Sequence, residues 1–174
     1  TLGPDEAARF VERLAHRDAH RRAAARAAAA HGDPKLVPML LEWLDEPSIA
    51  RRAADAIATL TGNTIVGDLA ADAPTQAADV VDDEDDALDP DDTLAWPDAT
   101  AVRAAWEQSK ASFLPGTRHV LGRPMSASSL WRALTVGRQP ERARAAFDLA
   151  RLGEPLFDVS APSHRQLRAL AGRN

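Results

Sequence analysis

The chain has 174 residues, 45 % of them hydrophobic and 27 % charged, with a net charge of −5, which suffices for one globular core. Cysteine and tyrosine are absent and aromatics make up only 5 %, which excludes a disulfide framework, a thiolate nucleophile and a Cys-based zinc site and favours small-residue helices over sheets. No apolar run approaches the ~20 residues of a membrane span and no signal-peptide pattern opens the chain. A cytoplasmic location without a membrane partner is therefore expected. The start at Thr1 rather than Met fits a trimmed or partial chain, so the missing signal carries little weight.

From the N-terminus, Pro4 to Ala15 and Asp18 to Ala30 read as two helices. Pro34 to Leu44 and Pro47 to Leu60 read as two more. The pairs are copies: residues 4–33 lie over 34–63 without a gap, matching Pro4 to Pro34, Glu12 to Glu42, Leu14 to Leu44, Arg21-Arg22-Ala23-Ala24 to Arg51-Arg52-Ala53-Ala54, and Gly32 to Gly62. In the second copy Asp33 suits a helix N-cap, with Pro34 at the first helical position where its missing N–H costs nothing. Leu36, Val37, Leu40, Leu41 and Leu44 form an apolar stripe at helical spacing, and so do Ile49, Ala53, Ala56, Ile57 and Leu60. Gly62 suits a left-handed C-terminal cap. A helix as poor in large side chains as Ala23–Ala30 makes sense only between close neighbours, as stacked repeats provide. A period near 30 with this content predicts an all-α solenoid of stacked antiparallel helix pairs, residues 1–63 forming two repeats.

Residues 64–97 read as an acidic, partly disordered loop insertion. The run from Asp79 to Asp92 holds nine of the 26 acidic residues and no base, so the body without it is mildly basic, with 21 bases against 17 acids. Its centre is Asp82, Asp83, Glu84, Asp85 and Asp86. A calcium loop would need a central Gly and a closing bidentate Glu, and the run has neither. The readings left are a solvated excursion and a segment docked, in a salt-dependent way, on arginines of its own body or of a partner. In the second case it acts as a pseudo-ligand covering the basic body.

Residues 98–174 continue the helices. One is expected from Asp98 to Phe113 with Val102, Trp106 and Phe113 inward. Thr117–Pro124 reads as a short extended piece or a loop. A diverged third pair follows: one helix capped by Ser126 runs through Leu130, Leu134 and Val136 to Gly137. The other opens at Pro140 and runs through Ala143, Ala146, Phe147, Ala150 and Leu152 to Gly153. A short capping helix is expected at Ser163–Ala171.

The phrase HGDPKLVPMLLEWLDEPSIARRAADAIATLTG resembles the short HEAT-like repeats first described in phycobilisome lyases. Over its whole length the chain resembles the C-terminal part of one family of bacterial HEAT-like proteins often encoded near type VI secretion genes. That likeness lies in the order GDPKLVPMLLEWL, an acidic interruption, DDTLAWPDATAVRAAW, PGTRHVLGRPMSASSLWRAL, GRQPERARAAFDLA and EPLFDVSAPSHRQ. It implies a helical fold and a secretion context, and no particular chemistry.

Candidate functional residues are few. Glu12, His16 and His20 are spaced by four, as metal ligands on one helix face would be, but the turn expected between Ala15 and Asp18 breaks that face. No Gly-rich phosphate loop, Gly-x-Ser-x-Gly elbow or His-Glu-x-x-His occurs. Neither catalysis nor a cofactor is therefore expected. Arg21, Arg22, Arg51 and Arg52 recur at matched positions. They form either a stripe for an acidic ligand or structural bridges to an acid in the neighbouring repeat, Asp18, Asp45 or Asp55. Nucleic acid is not expected as a partner, because the first 63 residues balance nine bases against nine acids. Trp43 and Trp131 fall on apolar stripes, whereas Trp96, before Pro97, either pins the acidic excursion or awaits a partner. The expected role is a non-catalytic protein-interaction module, an adaptor, chaperone or protector whose partner is a secretion effector or secretion component. Self-association through the outermost helix remains open. The alternative is a cofactor- or small-molecule-handling enzyme related to bilin lyases, which would need a polar pocket between helices.

Overall fold

The structure is a computed structural model that describes residues 3–73 and 89–171. It is mostly helical, with one two-residue hairpin. Eight α-helices are described: α1 (Pro4–Ala15), α2 (Arg21–His31), α3 (Val37–Glu42), α4 (Pro47–Thr61), α5 (Ala99–Ser109), α6 (Ala127–Val136), α7 (Gln139–Arg151) and α8 (Ser163–Ala171). The antiparallel strands β1 (His119–Val120) and β2 (Arg123–Pro124) pair His119 with Pro124 and Val120 with Arg123.

The first two units follow their local chemistry closely. α1 ends at Ala15, and a 3-10 turn over Asp18–His20 leads into α2. In unit two, 3-10 turns over Pro34–Leu36 and Trp43–Asp45 flank α3, so the first helix is only six α-residues long between tighter ends. The Asp33 carboxylate accepts the Lys35 N–H at 3.0 Å. Both second helices end on a left-handed glycine: Gly32 (φ 77°) donates to Ala28 O and Gly62 (φ 79°) to Ala58 O. α2 packs against α1 and against α4. Its inward residues Ala24, Ala25 and Ala28 are fully buried, and with only a methyl group each they let the helix backbones approach closely.

Two apolar cores result. The first joins α1 to α5 through Leu36, Leu40, Trp43, Ile57, Leu60 and Trp106. The second lies between α6 and α7, around Leu130, Leu134, Ala145, Ala146 and Leu149. The hairpin connects them, because His119 packs its ring on Phe113 of the first core (centroids 5.1 Å apart) while Val120 sits in the second.

Expectations about the C-terminal helices need correction. Val136, Ala143, Phe147 and Leu152 are exposed; Ala146 is buried as expected, and Ala145 and Leu149 face inward beside it. α7 is so rich in alanine that the pattern reads as apolar on more than one face. Trp131 is half-buried at the edge of the second core, edge-on to Phe157, rather than inside it. The Asp98–Phe113 helix is α-helical only to Ser109, with Asp98 as its N-cap and a 3-10 turn over Lys110–Ser112.

Candidate binding face

α2 and α4 present matched faces. At 100° per residue, Arg22, Arg26 and Ala29 share one side of α2, and Arg52, Ala56 and Thr59 share the same side of α4. This common face has three tiers, and the chain itself covers both ends.

At the N-terminal tier lies the end of the acidic run. Asp89-Pro90-Asp91-Asp92 folds into a turn in which the Asp89 carboxylate accepts the Asp91 N–H at 2.9 Å and its carbonyl accepts the Asp92 N–H at 3.0 Å. The turn aims three carboxylates at three arginines. Asp91, 2 % exposed, accepts from Arg22 Nε at 2.9 Å, from Arg52 Nε at 2.9 Å and from a second Arg52 nitrogen. Asp89 accepts from Arg22 Nη2 at 3.2 Å and from Arg51, and Asp92 from Arg51 at 3.3 Å. Burial opposes ionisation of Asp91, but the hydrogen bonds and charges of Arg22 and Arg52 outweigh it and hold its carboxyl below the ordinary range.

The four arginines singled out from the sequence therefore separate. Arg22, Arg51 and Arg52 converge on the acidic turn. Arg21, one residue and 100° away from Arg22, points elsewhere: it pairs with Asp18 at 2.9 Å and with Glu46, and lies 5.9 Å from the Trp43 ring centroid. The expected bridges to a neighbouring repeat differ in partner: Arg21–Asp18 and Arg52–Asp55 (3.2 Å) are contacts three residues apart within one repeat, whereas Arg21 reaches Glu46 of the next. Asp45 is instead held by Arg103 of α5 at 2.6 Å. Asp82, Asp83, Glu84, Asp85 and Asp86, with the expectation of disorder around them, lie outside the described residues.

Trp96 closes the base of the insertion. Its carbonyl accepts the Ala71 N–H at 2.9 Å, Asp98 N–H donates to Leu69 O at 3.0 Å, and Ala70 bridges Pro97. Its half-buried ring takes the Arg51 guanidinium at 4.6 Å. One arginine thus binds both the acidic turn and the clasp behind it.

At the C-terminal tier the hairpin crosses both helix ends. His119 N–H donates to Gly32 O at 2.7 Å, while Leu121 and Gly122 donate to Thr59 O and Leu60 O, each at 2.9 Å. Arg118 adds bonds to the carbonyls of His31 (2.7 Å) and Ala30 (3.2 Å). Carbonyls that a helix end leaves unpaired are satisfied here by a distant segment. The buried Asp33 serves both segments, capping at Lys35 and accepting Gly116 N–H at 3.1 Å. Nothing in TRHVLGRP signals this role, because backbone amides make most of the contacts.

Between the tiers the face opens into a cavity of about 540 Å3 against the first turns of α7. Arg138, at the start of α7, spans it to Asp55 at 2.5 Å while also binding Glu141 at 2.6 Å. Asp55 and Glu141, with Thr93 and Leu94, also line a second cavity of about 440 Å3 on the other side. None of Arg26, Arg138, Glu141 or Arg144 stood out in the sequence. A signal for some of the lining was present, since the copies differ at Ala25/Asp55, Arg26/Ala56 and Ala29/Thr59, and five of these six residues line the larger cavity.

No family model matches the chain, and neither does any curated protein or solved structure. Among the described residues no helix is long and apolar enough to cross a membrane, and no three His, Asp or Glu side chains gather as a metal site would require.

Proposed function

We propose that the chain is a non-catalytic protein-interaction module, a short HEAT-like α-solenoid whose α2–α4 face binds an acidic segment of a protein partner. One observation carries this reading. Arginines at repeat-matched positions, Arg22 and Arg52, together with Arg51, grip three carboxylates of a four-residue turn, one of them almost fully buried. Guanidinium forks suit carboxylates presented in this way, and the face already recognises such a segment in its own chain. α2 packed between α1 and α4 supports the solenoid plan. The resemblance to proteins encoded near type VI secretion genes supports a cytoplasmic accessory role, as adaptor, chaperone or protector of a secretion effector or secretion component.

The test is affinity capture from the native host with the intact protein and with Arg51→Glu. A secretion effector or component held by the intact protein and lost with Arg51→Glu supports the proposal. Equal recovery by both proteins, or no secretion protein with either, contradicts it.

A further inference from the structure

The middle tier carries a separate ligand site. Four arginines line the larger cavity, Arg26, Arg52, Arg138 and Arg144, against Asp55 and Glu141. Their neutralisation is uneven. Arg138 is matched twice, by Asp55 and Glu141. Arg52 shares Asp91 with Arg22 and Asp55 with Arg138. Arg144 binds Asp148 at 2.7 Å, but that one carboxylate also serves Arg118 at 3.4 Å and Arg151 at 3.9 Å. Arg26 has no ion-pair partner among the described residues. The α2 and α7 walls therefore hold more guanidinium than carboxylate.

Two groups near the cavity are shifted chiefly by burial, with the charge of Arg144 adding to both. Burial first, and then the charges of Arg144 and Arg151, lower the Arg118 pKa against the pull of Asp148. Burial first and Arg118 next lower that of His31, with Lys35 and Arg144 adding to the effect against Asp33. The rest of the lining is largely apolar, including Ala29, Ala56, Leu94, Val120 and Met125. An inorganic ion would leave those walls uncovered. The volume lies within the range of small-molecule pockets, roughly 300–1,000 Å3.

We propose that this cavity binds a small organic anion, its carboxylate or phosphate head held by the arginines, Arg26 foremost, and its apolar body laid along Ala29, Ala56 and Met125. The site stands whether or not the face also binds a protein. Arg26 is where unit one departs from unit two, which has the buried Ala56 at the matching position. The repeat plan itself does not require an arginine there.

Isothermal titration of the whole chain with phenyl phosphate, benzoate and inorganic phosphate tests the proposal. One of the two aromatic anions is expected to bind saturably, one to one, and about tenfold or more tighter than inorganic phosphate, its head group telling phosphate ligands from carboxylate ones. Arg26→Gln, at an exposed position without an ion pair to lose, should fold normally and weaken that binding by about tenfold. Arg165→Gln on α8 should not change it. The proposal is overturned if neither aromatic anion saturates at millimolar concentration, if inorganic phosphate binds equally well, or if Arg26→Gln binds as the parent does.

Discussion

Unit one (residues 4–33) and unit two (residues 34–63) bury matched positions with different side chains. Ala24 and Ala54, and Ala28 and Ala58, are buried in both. Where unit one has Ala27 and Ala30, unit two has Ile57 and Leu60, both buried. The added bulk goes into the first core, where Ile57 and Leu60 cluster with Val102 and Trp106 of α5, while α4 also packs against α2 and α3. The matched residues maintain the helix pair, and the unmatched ones show what lies beside each copy. On the common face the mismatches Arg26/Ala56 and Ala29/Thr59 fall at the cavity, whereas the matched Arg22/Arg52 fall under the acidic turn.

The largest loss is expected at Gly32, the left-handed end of α2. A Cβ at Gly32 would sit 2.4 Å from His119 O, at a φ of +77°. Gly32→Ala should cost about 4 kcal/mol, from left-handed strain plus the displaced hairpin. Gly153, at φ +90° with open space around it, should cost only about 1 kcal/mol on the same change. Urea unfolding of the two variants measures the difference, and equal losses would mean that the hairpin contact contributes nothing.

Next in size is Asp91→Ala, which leaves Arg22 and Arg52 facing each other without their shared carboxylate. A loss of about 3 kcal/mol is expected, somewhat eased because Arg22 reaches solvent. Acid should act on the same contact. The Asp91 pKa is depressed in the folded state, so its contribution is complete above the unfolded value near 3.8 and is lost as pH falls through the lower folded value. Thermal melts between pH 5 and pH 2 should show Asp91→Ala losing less stability on acidification than the parent.

A smaller effect separates the units at His31, matched by Thr61. Burial and Arg118 depress the His31 pKa, so the folded state holds the ring neutral and its contribution declines as pH drops below the unfolded value near 6.5. His31→Thr, which borrows the residue of unit two, should flatten the melting temperature between pH 7.5 and pH 5.5. An unchanged slope would exclude His31 as its source. Smallest of all, Arg103→Ala should cost only about 0.5 kcal/mol, because its Asp45 partner is exposed.

Most of the helical plan was legible in the sequence, because proline, glycine and capping residues act locally. Pro4, Pro47, Gly32, Gly62, Ser126 and Gly137 all mark helix ends where the local chemistry places them. Inward faces were legible where leucine and isoleucine mark them, as in α4, and illegible in alanine-rich α7. The site was half legible. Repetition drew attention to the arginines, but only the rotation of 100° per residue separates Arg21 from Arg22. The partnership with Asp89, Asp91 and Asp92 depends on where a loop returns, which no local rule fixes. The hairpin's hold on the two helix ends is made largely by backbone and so leaves little mark in side-chain identity.

If the face of α2 and α4 takes acidic segments, it should bind one added in trans once its own is loosened. Asp89→Asn with Asp92→Asn removes both carboxylates that hold Arg51 while leaving Asp91 in place. A fluorescent peptide DVVDDEDDALDPDD, the chain's own residues 79–92, is then titrated with the variant and with the parent, and its anisotropy is followed at low and high salt. The variant should bind the peptide, salt should weaken the binding, and the parent, whose face is already covered, should bind it less well. A folded variant that ignores the peptide even at low salt would mean that the face does not take acidic segments.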